Sequence, residues 1–225
     1  MRGEISRRRL LGATAVVTGA AVASALVPSV GHAAPPDVRT WRRSRSANGW
    51  PVLASADWHD IEGSGQKVAL ASGDAAVILT YVARRFHYEI DQLRPGDVHG
   101  HTTVAQVAEA YESNYLSGSA LAIRPQAYPV GVRGGLYPRE LVVIRDILAE
   151  LEGVVAWGGD FERPKESHFE IAYPPGDRRV AAMAQRIAEW TRGPGGKGAG
   201  AIDAFDPARL ARARAFARRN ARTGG

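Results

Sequence analysis

The sequence predicts an α+β fold in which a small antiparallel sheet packs against helices. Short apolar segments typical of strands occur at 67–70, 119–123, 154–157 and 168–173. Longer segments with apolar residues at helical spacing begin after positions 74, 137 and 177. The chain has 225 residues and is 45% hydrophobic, which is enough for one or two domains with a sizeable core.

The first half of this domain contains two predicted strands and two predicted helices. In chain order they are a strand at 67–70, a helix at 75–88 with Asp74 as N-cap, a short helix from Thr102 or Thr103 through Ala110, and a strand at 119–123. The helix at 75–88 is the clearest, because its apolar side chains recur three and four residues apart. Pro125 ends the second strand.

The second half begins with a helix at Pro138, a position where the missing N–H of proline costs nothing. Gly153 ends this helix. The predicted elements that follow are strands at 154–157 and 168–173, a helix capped by Asp177, and a final helix at 207–220. The final helix is rich in Ala and Arg, and we interpret it as a solvated tail or a loosely docked helix.

The chain divides into five predicted segments, of which one is a compact domain. They are an export signal at 1–34, a linker at 35–48, the domain at 49–191, a Gly-rich linker at 192–202 and a basic helical tail at 203–225. The domain contains no visible internal repeat.

The first segment is predicted to be a twin-arginine-type export signal. Arg7, Arg8 and Arg9 precede an apolar run, and the run ends in the small residues Ala33 and Ala34. The alternative is a transmembrane anchor, but polar and small residues interrupt the run. We expect a secreted or cell-wall-associated protein with no stable membrane span after cleavage of the signal.

Charge and cysteine content exclude several kinds of site. The net charge of +6 resides at the ends, because 1–34 carries +3 and 203–225 carries +4, which leaves −1 for the rest. The domain therefore lacks the basic surface expected of a nucleic-acid-binding protein. The absence of cysteine restricts metal ligands to His, Asp and Glu. A serine hydrolase is not indicated, since the sequence has no G-x-S-x-G elbow.

Two segments carry a pattern that points to a known chemistry. The first runs from Ser113 through Tyr115, Gly118 and Ala120 to Ala122, and the second joins Trp157-Gly158-Gly159-Asp160 to His168-Phe169. Their order and spacing resemble the zinc-dependent cell-wall peptidases of the D-alanyl-D-alanine carboxypeptidase and L-alanyl-D-glutamate endopeptidase family. The resemblance covers most of the domain. It implies a Hedgehog/DD-peptidase-like fold and, as a partner, the stem peptides of peptidoglycan.

The sequence departs from that family at the positions that bind zinc. The family has a His at the position of Tyr115, an Asp at the position of Ala122 and a catalytic carboxylate at the position of Lys165, so only His168 remains of the metal ligands. Zinc catalysis needs three protein ligands, an open position for water and a base. We therefore predict no standard zinc site. The expected function is binding of peptidoglycan peptides without standard zinc catalysis, and His168 is expected to be a half-buried strand residue with a hydrogen-bond partner.

Two alternatives remain open at this stage. In the first, zinc-dependent carboxypeptidase or endopeptidase activity persists with displaced ligands, which would be His99, His101 and His168. Glu166 would then be the substitute base, and an early strand start would place Glu166, His168 and Glu170 on one face. In the second, the protein is a structural wall-associated protein whose basic tail contacts an anionic wall polymer.

The candidate substrate-binding residues are Arg94, Tyr115, Trp157 and Asp160. Arg94 lies near the place where the family uses an Arg for its substrate, and Arg124 is a second candidate because guanidinium groups bind carboxylates with two hydrogen bonds. Tyr137 and Tyr173 are further candidates for the lining of a groove.

Overall fold

The computed structural model describes residues 37–192 and 202–223. The predicted export signal at 1–34 and most of the predicted Gly-rich linker, at 193–201, lie outside these ranges. Within them, no helix is both long and apolar enough to cross a membrane.

The described residues form eight strands, four helices and two short 3-10 turns. The strands are β1 (Arg39–Thr40), β2 (Asp57–Ile61), β3 (Gln66–Leu70), β4 (Val98–His99), β5 (Gln106–Val107), β6 (Ala120–Ile123), β7 (Val155–Trp157) and β8 (His168–Ile171). The helices are α1 (Asp74–Glu89), α2 (Pro138–Glu150), α3 (Arg178–Arg192) and α4 (Pro207–Thr223). The 3-10 turns are Ala110–Tyr115 and Gly158–Asp160.

The central sheet has four antiparallel strands in the order β4-β6-β8-β7. Two smaller antiparallel pairs, β1-β5 and β2-β3, accompany it. The hairpin β2-β3 adjoins the sheet, because the backbone N–H of His101 donates to the carbonyl of Ala69 over 2.7 Å. The described residues therefore confirm a mixed α+β protein with small antiparallel sheets.

The core lies between the central sheet and helices α1, α2 and α3. Leu79 and Val82 of α1, Ile147 of α2 and Phe169 of β8 are fully buried in it, and Ile187 of α3 is nearly so. The helices that the apolar spacing predicts therefore pack as expected. Pro138 is the first residue of α2, as predicted. The backbone N–H of Arg179 donates to the carboxylate of Asp177, so Asp177 caps α3.

The prediction of a helix from Thr102 or Thr103 through Ala110 is wrong. No helix is assigned between 102 and 109, where β5 is the one regular element, and the helical turn begins only at Ala110. The hydroxyl of Thr102 accepts a hydrogen bond from the backbone N–H of Val104, a local contact that competes with helix formation. Asp74 is likewise not an N-cap, because Gly73 occupies that position and Asp74 is the first helical residue.

The predicted linker at 35–48 contributes to the fold where the structure describes it. Strand β1 pairs with β5. Asn48 donates from its side chain to the hydroxyl of Ser119 (2.8 Å) and to the carbonyl of Ile171 (2.9 Å). These contacts bind the segment to β8 and to the residue before β6, so the domain begins before the predicted boundary at 49.

The C-terminal helix α4 packs against α2 instead of being solvated. Arg209 of α4 donates to Asp146 of α2 over 2.9 Å, and the same carboxylate accepts from Arg85 of α1 over 2.8 Å. Asp146 and Arg85 are both completely buried. Two of the Arg residues that make the tail basic, Arg209 and Arg212, therefore point towards Asp146.

Candidate functional site

The segment 113–122 folds into a tight frame around Gly118. Gly118 has a positive φ of 63°, and a Cβ at this position would lie 2.5 Å from the backbone nitrogen of Ala71. That nitrogen donates to the carbonyl of Gly118 over 2.9 Å. Both the backbone conformation and the close approach therefore require glycine here.

We expect Gly118→Ala to destabilise the protein by about 2 kcal/mol or more, because it combines left-handed strain with a clash against backbone. Gly65→Ala is the matched control, since Gly65 has a φ of 67° but nothing within 4 Å of an added Cβ. Urea unfolding of both variants measures the two free-energy losses. Gly65→Ala reports the backbone strain alone, and the additional loss in Gly118→Ala reports the clash with Ala71. Equal losses of stability would contradict the importance of the contact between Gly118 and Ala71.

The structure brings together all four residues that stand, by the resemblance, at the positions of the three zinc ligands and the catalytic base. Ala122 of β6 lies directly opposite His168 of β8 in the antiparallel pairing. Nδ1 of His168 lies 2.7 Å from the hydroxyl of Tyr115. Lys165 lies with its ammonium nitrogen 4.8 Å from the centre of the Tyr115 ring, so the fourth residue joins the same group.

His168 is held by a hydrogen bond at each ring nitrogen. Nε2 lies 2.7 Å from a carboxylate oxygen of Glu170, which also accepts from the side-chain amide of Asn114. A carboxylate only accepts, so in the neutral imidazole Nε2 carries the proton and Nδ1 accepts from Tyr115. His168 is completely buried, which is deeper than predicted, but its hydrogen-bond partners agree with the prediction.

Tyr115 acts as a neutral hydrogen-bond donor in this arrangement. Burial raises the pKa of Tyr115 well above its usual value, and the carboxylates of Glu112 and Glu170 add to the effect. The phenol therefore keeps its proton at neutral pH and donates it to Nδ1 of His168. A protonated phenol with this role is a poor metal ligand.

Lys165 is paired with a carboxylate that the sequence analysis did not identify. Its ammonium donates to Glu112 over 2.7 Å, and both side chains are largely buried. Burial acts to raise the pKa of Glu112, but Lys165 outweighs it, so the pKa lies below its usual value. The pair holds the ammonium of Lys165 beside the ring of Tyr115.

These residues do not fit a zinc ion. Both ring nitrogens of His168 are engaged in hydrogen bonds, Ala122 has no side-chain donor atom, and Lys165 adds an ammonium group. Among residues 37–192 and 202–223, no group of three or more His, Asp and Glu side chains is arranged to hold a metal.

An open cleft of about 460 Å³ lies on one side of this group. Tyr115, Ala122 and Lys165 line it, together with His99 and His101. Its other side is formed by the hairpin β2-β3, which contributes Trp58 and Ala69. Among the described residues that line the cleft, none is acidic.

The displaced metal site that the sequence left open does not assemble around His168. His99 and His101 line the cleft, where Nε2 of each lies 3.0 Å from a backbone carbonyl, of Gly96 and Leu53 respectively. His168 lies buried below the cleft with both nitrogens engaged. The three imidazoles therefore do not share one coordination position.

Glu166 is not placed to be a substitute base. Strand β8 begins at His168, so Glu166 precedes the alternation that would align it with Glu170. Its carboxylate accepts from the backbone N–H groups of Gly134 and Gly135, each over 2.8 Å. Glu166 thus anchors the Gly-rich loop that precedes α2.

Three of the predicted substrate-binding residues lie away from the cleft. Arg94 is exposed and does not line it. Trp157 is buried and lines a separate cavity of about 630 Å³ with Asp160. Asp160 is paired with Arg145 of α2 over 2.6 Å. Only Tyr115 of the four candidates lines the cleft.

The remaining candidates from the sequence also have other roles. Arg124 forms ion pairs with Asp91 and Asp97, so its guanidinium is occupied. Tyr137 is exposed outside the cleft, and Tyr173 packs against Arg179.

Trp58 and Val104 are cleft residues that the sequence analysis did not identify. Their side chains are 70% and 61% exposed, and both line the cleft. Trp58 lies on β2, which the sequence analysis did not predict. The turn at Gly63-Ser64-Gly65 before a predicted strand was the available signal, because such a turn favours a second strand on its other side.

Comparison of the chain with known protein families, curated proteins and solved structures gives no significant match. By its fold and site, the chain is an α+β protein with an open cleft beside a buried group formed by His168, Tyr115 and Glu170.

Proposed function

We propose that the protein is an exported cell-wall protein that binds peptidoglycan peptides in the cleft beside Tyr115 and does not cleave them by standard zinc chemistry. The observation that carries this proposal is the hydrogen bond from Tyr115 to Nδ1 of His168. By the resemblance, Tyr115 stands at the position of a metal-binding histidine, and its phenol lines an open cleft.

The composition of the cleft supports a ligand that carries carboxylates. Lys165 lines it and is the one cationic residue among its described lining residues, none of which is acidic; its ammonium also donates to Glu112, which does not line the cleft. The imidazoles of His99 and His101 line it as well. In both imidazoles Nε2 lies against a carbonyl oxygen, so in the neutral form Nδ1 has a free lone pair. Peptidoglycan stem peptides offer both carboxylates and amide N–H groups, which suit these partners.

The first experiment separates binding from catalysis. Purified protein is incubated with insoluble peptidoglycan and with soluble muropeptides, with and without added zinc, and its metal content is measured by elemental analysis. We expect co-sedimentation with peptidoglycan, no cleavage products and substoichiometric zinc. Turnover accompanied by stoichiometric zinc would contradict the proposal, and so would the absence of binding.

The second experiment locates binding in the cleft. We expect Val104→Asp to weaken binding of the stem peptide about tenfold, because it puts a negative charge into a cleft that lacks one. Val104 is exposed, so the change leaves the core intact. Titration calorimetry with the free tetrapeptide measures the effect.

Val38→Asp is the matched control, because Val38 is 53% exposed and does not line the cleft. It makes the same change of side chain and charge elsewhere on the surface. If both variants bind as the original protein does, or if both lose affinity equally, the cleft is not the binding site.

A further inference from the structure

Trp58 is the most exposed aromatic side chain among the residues whose burial is described, at 70%, and it stands at the edge of the cleft. It lies on the edge strand β2, opposite Ala69 of β3. Contact of a large indole with water is unfavourable in free energy. A ligand that covers the ring removes this unfavourable contact.

The surroundings of Trp58 disfavour an apolar protein partner. Trp58 shares its face of the hairpin with Asp60 and Lys67, because side chains alternate along a strand and Asp60 pairs with Lys67 across it. These two side chains form an exposed ion pair of 3.2 Å. A charged pair on an edge strand also discourages pairing with a second copy of the chain.

The cleft residues beside the indole suit a ligand with hydroxyl and amide groups. Thr102 and Gln106 line the same cleft and offer neutral donors and acceptors. The C–H face of a pyranose ring stacks on the negative face of an indole, while its hydroxyl and acetamido groups reach such neighbours. Both properties belong to an N-acetylated sugar.

We propose that Trp58 is a sugar-stacking residue, so that the ligand of the cleft is a muropeptide with its glycan attached and not a free stem peptide. This inference rests on the proposed function, because the peptide part occupies the cleft beside Tyr115 and Lys165. Trp58 then determines specificity for one class of peptidoglycan fragment.

The test compares two probes by titration calorimetry: a disaccharide tetrapeptide, and the same tetrapeptide after its sugar has been removed. We expect the protein to bind the disaccharide tetrapeptide about tenfold more tightly. Trp58→Ala is expected to abolish this difference, because binding of the disaccharide tetrapeptide weakens more than binding of the bare tetrapeptide. Trp58→Phe should restore part of the preference, because it keeps an aromatic face.

Phe205→Ala is the control, since Phe205 is an exposed aromatic residue, at 50%, that does not line the cleft. Equal affinity of the unchanged protein for the two probes, or equal weakening of both by Trp58→Ala, would overturn the sugar proposal while leaving peptide binding in place. Binding of neither probe would overturn the proposed function itself. Loss of the preference in Phe205→Ala would also count against a specific role for Trp58.

Discussion

The triple variant Tyr115→His, Ala122→Asp, Lys165→Glu is expected to bind about one zinc ion per chain, with roughly micromolar affinity or tighter. It replaces the phenol by an imidazole, adds a carboxylate opposite His168 and removes the neighbouring positive charge. Elemental analysis of the purified variant and competition with a chromophoric chelator measure the gain against the unchanged protein.

The geometry around His168 favours this outcome. An imidazole is shorter than a phenol, so His at position 115 leaves space for an ion next to Nδ1 of His168. Glu170 already holds the other ring nitrogen at 2.7 Å. Such a carboxylate behind a histidine fixes the tautomer and orientation that a metal ligand needs. The hydrogen bond from His168 to Glu170 would therefore support a metal ion in the variant.

The matched control is Tyr115→Phe combined with Ala122→Asp and Lys165→Glu, which makes the same changes but lacks the second imidazole. We expect no stoichiometric zinc in this control. Because Lys165→Glu places a carboxylate beside Glu112, the variant with only Tyr115→His and Ala122→Asp forms a third arm. The resemblance to zinc peptidases would be contradicted if the triple variant and the double variant both fold and neither binds zinc.

Periodic segments of the fold were predictable from the sequence because their pattern is local. The apolar spacing of α1 and the signals at Pro138 and Asp177 each depend on residues within a few positions. Strands β6 and β8 were predictable for the same reason. The group formed by Tyr115, Ala122 and His168 also followed from motif spacing, and the structure brings the three residues together.

Features that depend on distant partners were not predictable in this way. Strands β1 and β5 have two residues each and are defined by their pairing with one another. Arg124 suits a carboxylate ligand by its chemistry, but Asp91 and Asp97 occupy it after the chain has folded. Sequence spacing also does not reveal that Trp157 lies on another side of the sheet from the cleft.

The packing of the final helix α4 also depends on distant residues. Its apolar content is too low to predict this packing from the sequence. Its docking depends on the buried carboxylate of Asp146, which accepts from Arg85 of α1 and Arg209 of α4. Glu150 adds a second acceptor, 2.7 Å from Arg85 and 3.0 Å from Arg209. Burial acts to raise the pKa of Glu150, but Arg85 and Arg209 hold it below its usual value. Only the folded chain brings these charges together.

Asp146→Ala is therefore expected to destabilise the protein by about 3–5 kcal/mol, because it removes the completely buried carboxylate that Arg85 and Arg209 share. Glu89 and Glu150 remain as partners, but no acceptor replaces the carboxylate of Asp146 between α2 and α4. Arg85 is completely buried, so water cannot replace the lost carboxylate. The loss should also release α4 from α2. Urea unfolding at neutral pH measures the stability, and hydrogen exchange of α4 amides measures its docking.

Asp160→Ala is the matched control, because Asp160 also pairs with an Arg, Arg145, but its side chain is 47% exposed. An exposed ion pair contributes about 1 kcal/mol or less, so this variant should remain close to the original protein in stability. A second comparison sets Arg209→Ala against Arg218→Ala, since Arg218 lies on the exposed face of α4. Only Arg209→Ala should accelerate exchange in α4. Similar losses for Asp146→Ala and Asp160→Ala would show that the buried ion pairs do not hold the C-terminal helix in place.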